Sequence, residues 1–369
     1  MGCKKYRNLL LVAAFILLTI ILLFIFFVGR SGGGSEQKIG IVLSGSAQEN
    51  GWNGMNYEGA KEACIKLGAN LLVKDNIAEY SGQCEEAVRE LAEEGAGMIL
   101  LTSYGYSEEV RDIVNEYPDV VFNVNFYENQ DEQINTYFVR MYQARYLSGI
   151  IAGMRTQSNV VGYVAAMPNN EVNRGINAFT LGVKQGNPDA KVVVLWTGTW
   201  DDRPKETAAV EKLVQECSAD VVTYHQNQGN VVEAAERLGV DSIGYHREFE
   251  GCSPHYLTSV VCDWEKIYEE VISEYLKGRG NEAYSYWIGL EADAVGLTPY
   301  SELVTGEIQA HVEEAREHIL SGGGVFSGKI YDREGNLICG ESETVSDEAL
   351  LEHVDWYVEG VEFYEESVD

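Results

Sequence analysis

An α/β fold of two lobes, each built on a doubly wound parallel sheet, is the architecture this 369-residue sequence predicts. Short β-branched runs alternate with amphipathic helical stretches, an order that lays crossover helices on the faces of a parallel sheet. The alternation occurs twice, over about residues 38–124 and again over about 136–245, each the size of an ordinary domain. The loops after the apolar runs carry aromatic and hydrogen-bonding side chains, and in such sheets those loops gather at one edge, where ligands bind.

The chain opens with Lys4, Lys5 and Arg7, followed by an apolar run from Leu9 to Val28 broken only by Thr19. At about 1.5 Å per residue the run can cross a hydrocarbon core of roughly 30 Å. It is longer than the apolar region of a cleaved signal, and no cleavage site follows it. The preceding charges keep the N-terminus inside. The expectation is therefore a cytoplasmic segment at 1–8, one N-terminal transmembrane helix acting as an uncleaved signal anchor at 9–28, a Gly/Ser linker at 29–37 and everything beyond it outside the cell.

The first lobe starts with a strand at Lys38 to Leu43 and a helix at Asn53 to Leu67. A strand at Leu71 to Lys74, a helix from about Gln83 to Glu94 and a buried-type strand at Gly97 to Thr102 follow. A helix at Ser107 to Glu116 and a strand at Val120 to Val124 complete it. The second lobe carries β-branched runs at Val160 to Val164, Lys191 to Trp196 and Asp220 to Tyr224, separated by amphipathic helices. A strand at Leu257 to Val261 and a helix at Trp264 to Lys277 are expected to cross back, which assigns 38–135 plus 256–283 to lobe 1 and 136–255 plus 284–298 to lobe 2. The remainder, 299–369, reads as a C-terminal extension: a helix at Glu307 to Leu320, a hairpin within Val325 to Ile338 turning at Arg333 to Asn336, and an amphipathic helix from Asp347 to Tyr364.

Composition narrows the function. Beyond residue 35 the chain holds 23 basic against 58 acidic residues, a net charge of −35. Nucleic-acid binding needs a basic footprint and is not expected; solubility and self-repulsion account for the acidity. Six cysteines (Cys64, Cys84, Cys217, Cys252, Cys262 and Cys339) fall in the outer region, where disulfides are permitted and their pairing stays open. No CxxC spacing occurs, so neither a metal site nor a cofactor is expected.

Several segments carry a family resemblance. They are Asn50 to Trp52, Thr102 to Tyr106, Arg140 to Tyr146, Val172 to Phe179, the Trp-Thr-Gly-Thr-Trp run of Trp196 to Trp200 and the Leu-Thr pair at Leu257. In this order, over about Lys38 to Leu297, the chain resembles the basic membrane protein family of ABC-transporter substrate-binding proteins, especially the branch associated with purine bases and nucleosides. The resemblance implies a type I periplasmic-binding-protein fold whose lobes close on a ligand by hinge motion. It also implies a permease partner, a monomer, and an extension that wraps the lobes. Members are commonly lipoproteins with a cysteine just after the signal's apolar region. Here Cys3 precedes that region and the next cysteine is Cys64, so the signal anchor takes the place of lipid anchoring.

A purine offers two π faces and a rim of donors and acceptors, so aromatic rings and amide or carboxyl groups in strand-terminal loops suit it. Trp52 is the expected stacking residue, against an alternative role in packing the lobes. Tyr104 and Tyr106 flank Gly105, which allows close backbone approach; for both tyrosines packing competes with binding. Trp200 is expected to supply the opposite face. For the rim the candidates are Asn125, Asn170, Glu171, His225 and Asp263. Helix capping is the alternative for Asn170, Glu171 and Asp263, and a structural role for His225. Ribose-binding members usually place acidic residues in the first loop, whereas Ser46 to Asn50 has only Glu49, which shifts weight toward a free base.

Two other functional classes compete with this reading. An acid–base site assembled from Glu49, Glu171 and His225 is what any polar cleft permits, and the sequence has no nucleophile elbow, zinc-protease helix or phosphate loop, so no catalytic residue is expected. A ligand-sensing receptor module working through a partner protein is the alternative to transport.

Overall fold

The computed structural model describes residues 37–125, 134–279 and 285–365. The expected anchor at 9–28 lies outside the described residues, and among those described no helix is long and apolar enough to cross a membrane.

The first sheet is built from β1 (Lys38–Val42), β2 (Asn70–Lys74), β3 (Ala96–Leu101), β4 (Val121–Val124) and β5 (Ile134–Val139). Helices α1 (Trp52–Leu67), α2 (Gln83–Glu93) and α3 (Tyr106–Val110) connect the first four strands. After α4 (Met141–Arg155) the second sheet is laid down in the same way: β6 (Val160–Ala165), α5 (Asn170–Gly186), β7 (Lys191–Trp196), α6 (Arg203–Gln215), β8 (Val221–His225), α7 (Asn230–Leu238), β9 (Asp241–His246) and β10 (Tyr256–Cys262). The strand orders are β2-β1-β3-β4-β5 and β7-β6-β8-β9-β10, the same winding twice, with every pair among these strands parallel. Their β-branched runs are buried on both faces, as parallel strands under helices must be. In each sheet the winding reverses beside the first strand, β1 or β6, and the loops at that carboxyl edge face the other lobe.

The lobe boundaries differ from those expected. β5 pairs with β4 and therefore belongs to the first sheet, whereas β10 pairs with β9 and belongs to the second. After β10, α8 (Trp264–Leu276) packs on α1, where the Tyr268 hydroxyl donates to Asn56 Oδ1 at 2.5 Å. The chain then adds β11 (Ser285–Ile288) beside β5 in the first sheet and β12 (Val295–Leu297) antiparallel to β10 in the second. The chain thus crosses between the lobes after β5, after β10 and after β11. The apolar pattern that announced these strands carries no information about which sheet receives them, since both sheets accept the same β-branched side chains.

In the extension, α9 (Gly306–Leu320) precedes a short hairpin of β13 (Ile330–Tyr331) and β14 (Leu337–Cys339), and α10 (Asp347–Glu352) is followed by β15 (Val361–Phe363). The helix expected to reach Tyr364 stops at Glu352 because tertiary partners take over its backbone. Asn173 Nδ2 donates to the Val354 carbonyl (2.7 Å), Asn177 Nδ2 donates to the Trp356 carbonyl (2.9 Å) and Asn177 Oδ1 accepts from Val358 N–H (3.0 Å). β15 then pairs parallel with β7, covering that edge of the second sheet. All six cysteines among the described residues are free thiols.

Candidate functional site

The carboxyl edges of the two sheets face each other across a cavity of about 440 Å³, within the range of small-molecule sites. Its walls come from the ends of strands, the loops after them and the first residues of the helices that follow. The first lobe contributes Ser44, Trp52, Glu79, Tyr80, Thr102 to Tyr104, Asn125 and Phe138. The second contributes Met167, Asn169 to Glu171, Trp200, His225 to Asn227 and His246.

Trp52 is the first residue of α1. Its indole N–H donates to the Thr102 carbonyl at 3.0 Å, and Trp264 and His246 meet it edge-on at 5.2 and 6.0 Å between ring centroids. Trp200 stands on the other lobe, edge-on to His225 at 6.1 Å. Its loop is pinned by Asn227 N–H donating to the Trp200 carbonyl (2.9 Å) and by the Gln226 amide. That amide is oriented so that its nitrogen donates to the Thr199 and Trp200 carbonyls (2.8 and 3.2 Å) while its oxygen accepts from the Thr197 hydroxyl (2.8 Å).

At the start of α5 the cap is Asn169, whose side chain accepts from Val172 N–H at 2.9 Å. Asn170 and Glu171 are thereby released from capping. Asn170 Oδ1 instead accepts from Val354 N–H of the extension (3.0 Å), and the residue lines the cavity. The Glu171 carboxylate lies 3.6 Å from His225 Nε2, which also meets the Tyr245 hydroxyl at 3.4 Å. Burial works against the Glu171 charge, but His225, Arg174 and Arg145 outweigh it and hold its pKa below the ordinary carboxylate range. Burial also pushes the His225 imidazole down, with Glu171 opposing. At neutral pH the pair is a carboxylate facing a neutral ring.

Asn125 follows β4 and is 3 % exposed. Its amide interacts with the Tyr137 hydroxyl, but neither the nitrogen nor the oxygen finds a hydrogen-bond partner of ordinary geometry among the described residues. A buried amide in this state is costly, and such groups call for a partner. Among the described residues the lining contains two carboxylates, Glu79 and Glu171, and no Lys or Arg.

Seven of the ten candidates therefore meet at one cavity: Trp52, Tyr104, Asn125, Asn170, Glu171, Trp200 and His225. The other three do not line it. Tyr106 is fully buried in the first lobe, its hydroxyl donating to the Ile77 carbonyl at 2.5 Å. Gly105 lies behind the wall, its N–H donating to Glu79 Oε1 at 2.6 Å. Asp263 caps α8 by accepting from Lys266 N–H at 3.2 Å, so the capping alternative is the one it realises. Among the lining residues that sequence reasoning missed, His246 ends β9 as His225 ends β8, a correspondence the strand pattern already held. Glu79 and Tyr80 belong to the loop after β2, which carries no marked motif.

A family model described as ABC transporter substrate-binding protein PnrA-like (Bmp) matches residues 36–328. The chain belongs to the Bmp family. This Bmp protein is 28 % identical over 330 residues to a purine-binding protein of Brucella abortus, an alignment covering 88 % of this chain and 93 % of that one. It is 32 % identical over 282 residues to a putative ABC transporter glucose-binding protein, TsgA13, of Haloferax volcanii, covering 75 % and 68 %. Among solved structures it is similar to a transcriptional activator of the comK gene from Bacillus halodurans, with a TM-score of 0.67 at 24 % identity over 77 % of this chain and 97 % of the other. It is also similar to an ABC transporter solute-binding protein from Conexibacter woesei, with a TM-score of 0.63 at 22 % identity over 78 % and 97 %. The Bmp protein thus has the two-lobed periplasmic-binding-protein-like fold expected. It is a substrate-binding protein, not an enzyme, and membership implies a small-molecule ligand and a permease.

Proposed function

We propose that this protein captures a purine base in the interlobe cavity and delivers it to an ABC permease, working as a monomer tethered outside the cell by residues 9–28. The observation that carries this reading is the Asn125 amide, with an unmet donor and acceptor side by side in a cavity walled by Trp52, Tyr104 and Trp200. A purine edge pairs a ring nitrogen with an exocyclic group, and an amide can address both at once. The Glu171 carboxylate adds an acceptor for a ring or exocyclic N–H. A lining with two carboxylates and no Lys or Arg among the described residues disfavours phosphorylated ligands, which need cationic partners. Glu49, the single carboxylate of the first loop, is held by Asn53 (2.9 Å to its N–H, 2.7 Å to its amide) and does not line the cavity, which supports a base over a nucleoside.

The test is a thermal-shift and titration panel of purine bases, nucleosides, nucleotides, pyrimidines and glucose against the purified protein. A ligand that binds only the folded state raises the melting temperature in step with its concentration. Shifts with purine bases, weaker shifts with ribosides and none with nucleotides are expected. A shift with glucose alone would overturn the purine reading in favour of a sugar.

A further inference from the structure

Tyr80 is a bulky residue in a backbone conformation that bulky residues avoid. Its φ of 56° lies in the left-handed region, which such a side chain occupies only where neighbours enforce it. The Glu109 carboxylate does so, accepting from Tyr80 N–H at 2.7 Å and from Gly82 N–H at 2.9 Å. The adjoining Glu79 accepts from Gly105 N–H at 2.6 Å. The Tyr80 ring lies directly on Gly105: a Cβ there would stand 2.8 Å from Tyr80 Cζ and 2.9 Å from Glu79 Oε1. Yet the residue so held is not core, for it is 62 % exposed and lines the cavity. Packing gains little from such a placement, whereas an aromatic face at the cavity is what a planar ligand would use.

We infer that Tyr80 is a ligand-contacting residue, its ring set against the cavity by Gly105 and Glu109 so that it covers a bound planar solute. Gly105 then serves the site without touching the ligand, by leaving room for that ring. This rests on the purine reading for the identity of the solute, and the loop after β2 thereby joins the loops after β1, β3 and β4 as a binding element.

The test is isothermal titration of the full-length protein in detergent with adenine, guanine, hypoxanthine, their ribosides and glucose, beside thermal melting of each unliganded variant. Tyr80→Gly separates binding from folding, because glycine accepts this φ without strain. Its melting temperature is expected at or above that of the wild type. Its affinity for the bound probe should fall about tenfold, the scale of a lost base–aromatic stack. Tyr80→Phe should recover most of the loss. Gly105→Ala, which displaces the ring, should weaken binding comparably and add nothing in the Tyr80→Gly background. An affinity within about twofold of wild type in Tyr80→Gly, or an undiminished Gly105→Ala loss in the double variant, overturns the inference. If the wild type takes glucose and no purine, the purine reading fails separately, and the same variants titrated with glucose decide the role of Tyr80. Binding of none of the probes overturns both.

Discussion

Gly51 caps α1 in the first lobe and meets Asn227 of the second directly across the cleft. A Cβ on Gly51 would stand 1.7 Å from the Asn227 carbonyl oxygen and 2.8 Å from its carbon, where ordinary contact begins at 3.4 Å. The obstacle is backbone, so no side-chain rotation relieves it, and the two loops must move apart by well over an ångström. Under the proposed capture by hinge closure, only a state with the lobes this close bears the cost, because an opened cleft removes the collision. Overpacking of this kind costs about 1–3 kcal/mol, and one tenfold step in affinity is about 1.4 kcal/mol, so Gly51→Ala should weaken binding between roughly fivefold and a hundredfold. Gly51→Ser carries the same Cβ with a better helix cap and should lose as much affinity with no loss of unliganded stability. Gly306→Ala, at a position with nothing within 4 Å of the added Cβ, is the control. Calorimetric titration measures the loss, and small-angle scattering with saturating ligand should show a larger radius of gyration for the Gly51 variants than for the wild type. Binding within about twofold of wild type together with an unchanged scattering profile would refute the argument, since the contact would then have no bearing on closure.

Other substitutions probe the remaining parts. Trp52→Ala should weaken purine binding at least about tenfold by loss of stacking, and near-wild-type affinity would remove Trp52 from the site. Asn125→Leu deletes a buried amide with no hydrogen-bond partner among the described residues, so the unliganded fold should melt no lower while purine affinity collapses; a marked drop in melting temperature would mean the amide is satisfied after all. Burial holds the His246 imidazole well below its ordinary 6.5, and pushes His225 down as well. The unfolded chain therefore takes up protons that the folded chain refuses, and the stability these rings contribute is complete above about pH 6.5 and is lost as pH falls through the window beneath it. Because asparagine tolerates the φ of 72° at this position, His246→Asn should flatten the decline of melting temperature between about pH 6.5 and 5; an unchanged slope would exclude that ring as a contributor. Asn177→Ala removes the groups that hold the Trp356 carbonyl and Val358 N–H, and should lower unfolding stability by about 2 kcal/mol in denaturant titration.

The sequence alone was enough for the two doubly wound halves, because hydrophobic periodicity is a local property and each buried parallel strand needs its own apolar run. It was also enough to place Trp52, Asn125, Asn170, Glu171, Trp200 and His225 near one cleft, because a residue at the carboxyl end of a strand lies at the same edge wherever the strand sits in the sheet. Three matters were decided only by the tertiary structure. The sheet that receives β5, β10 and β11 depends on pairing partners far away in the chain, and both sheets offer equivalent ones. Whether Asn169, Asn170 or Glu171 caps α5 depends on a frame of one residue, and Asn169 took the cap, while Asp263 was drawn into capping α8. The residues from Val354 to Val358 left the helical path that their pattern suggested because the amides of Asn173 and Asn177 offered their backbone better partners than another helical turn. Tyr80 was invisible for a related reason: what sets it at the cavity is a left-handed φ held by long-range neighbours, and no local pattern of side chains encodes that.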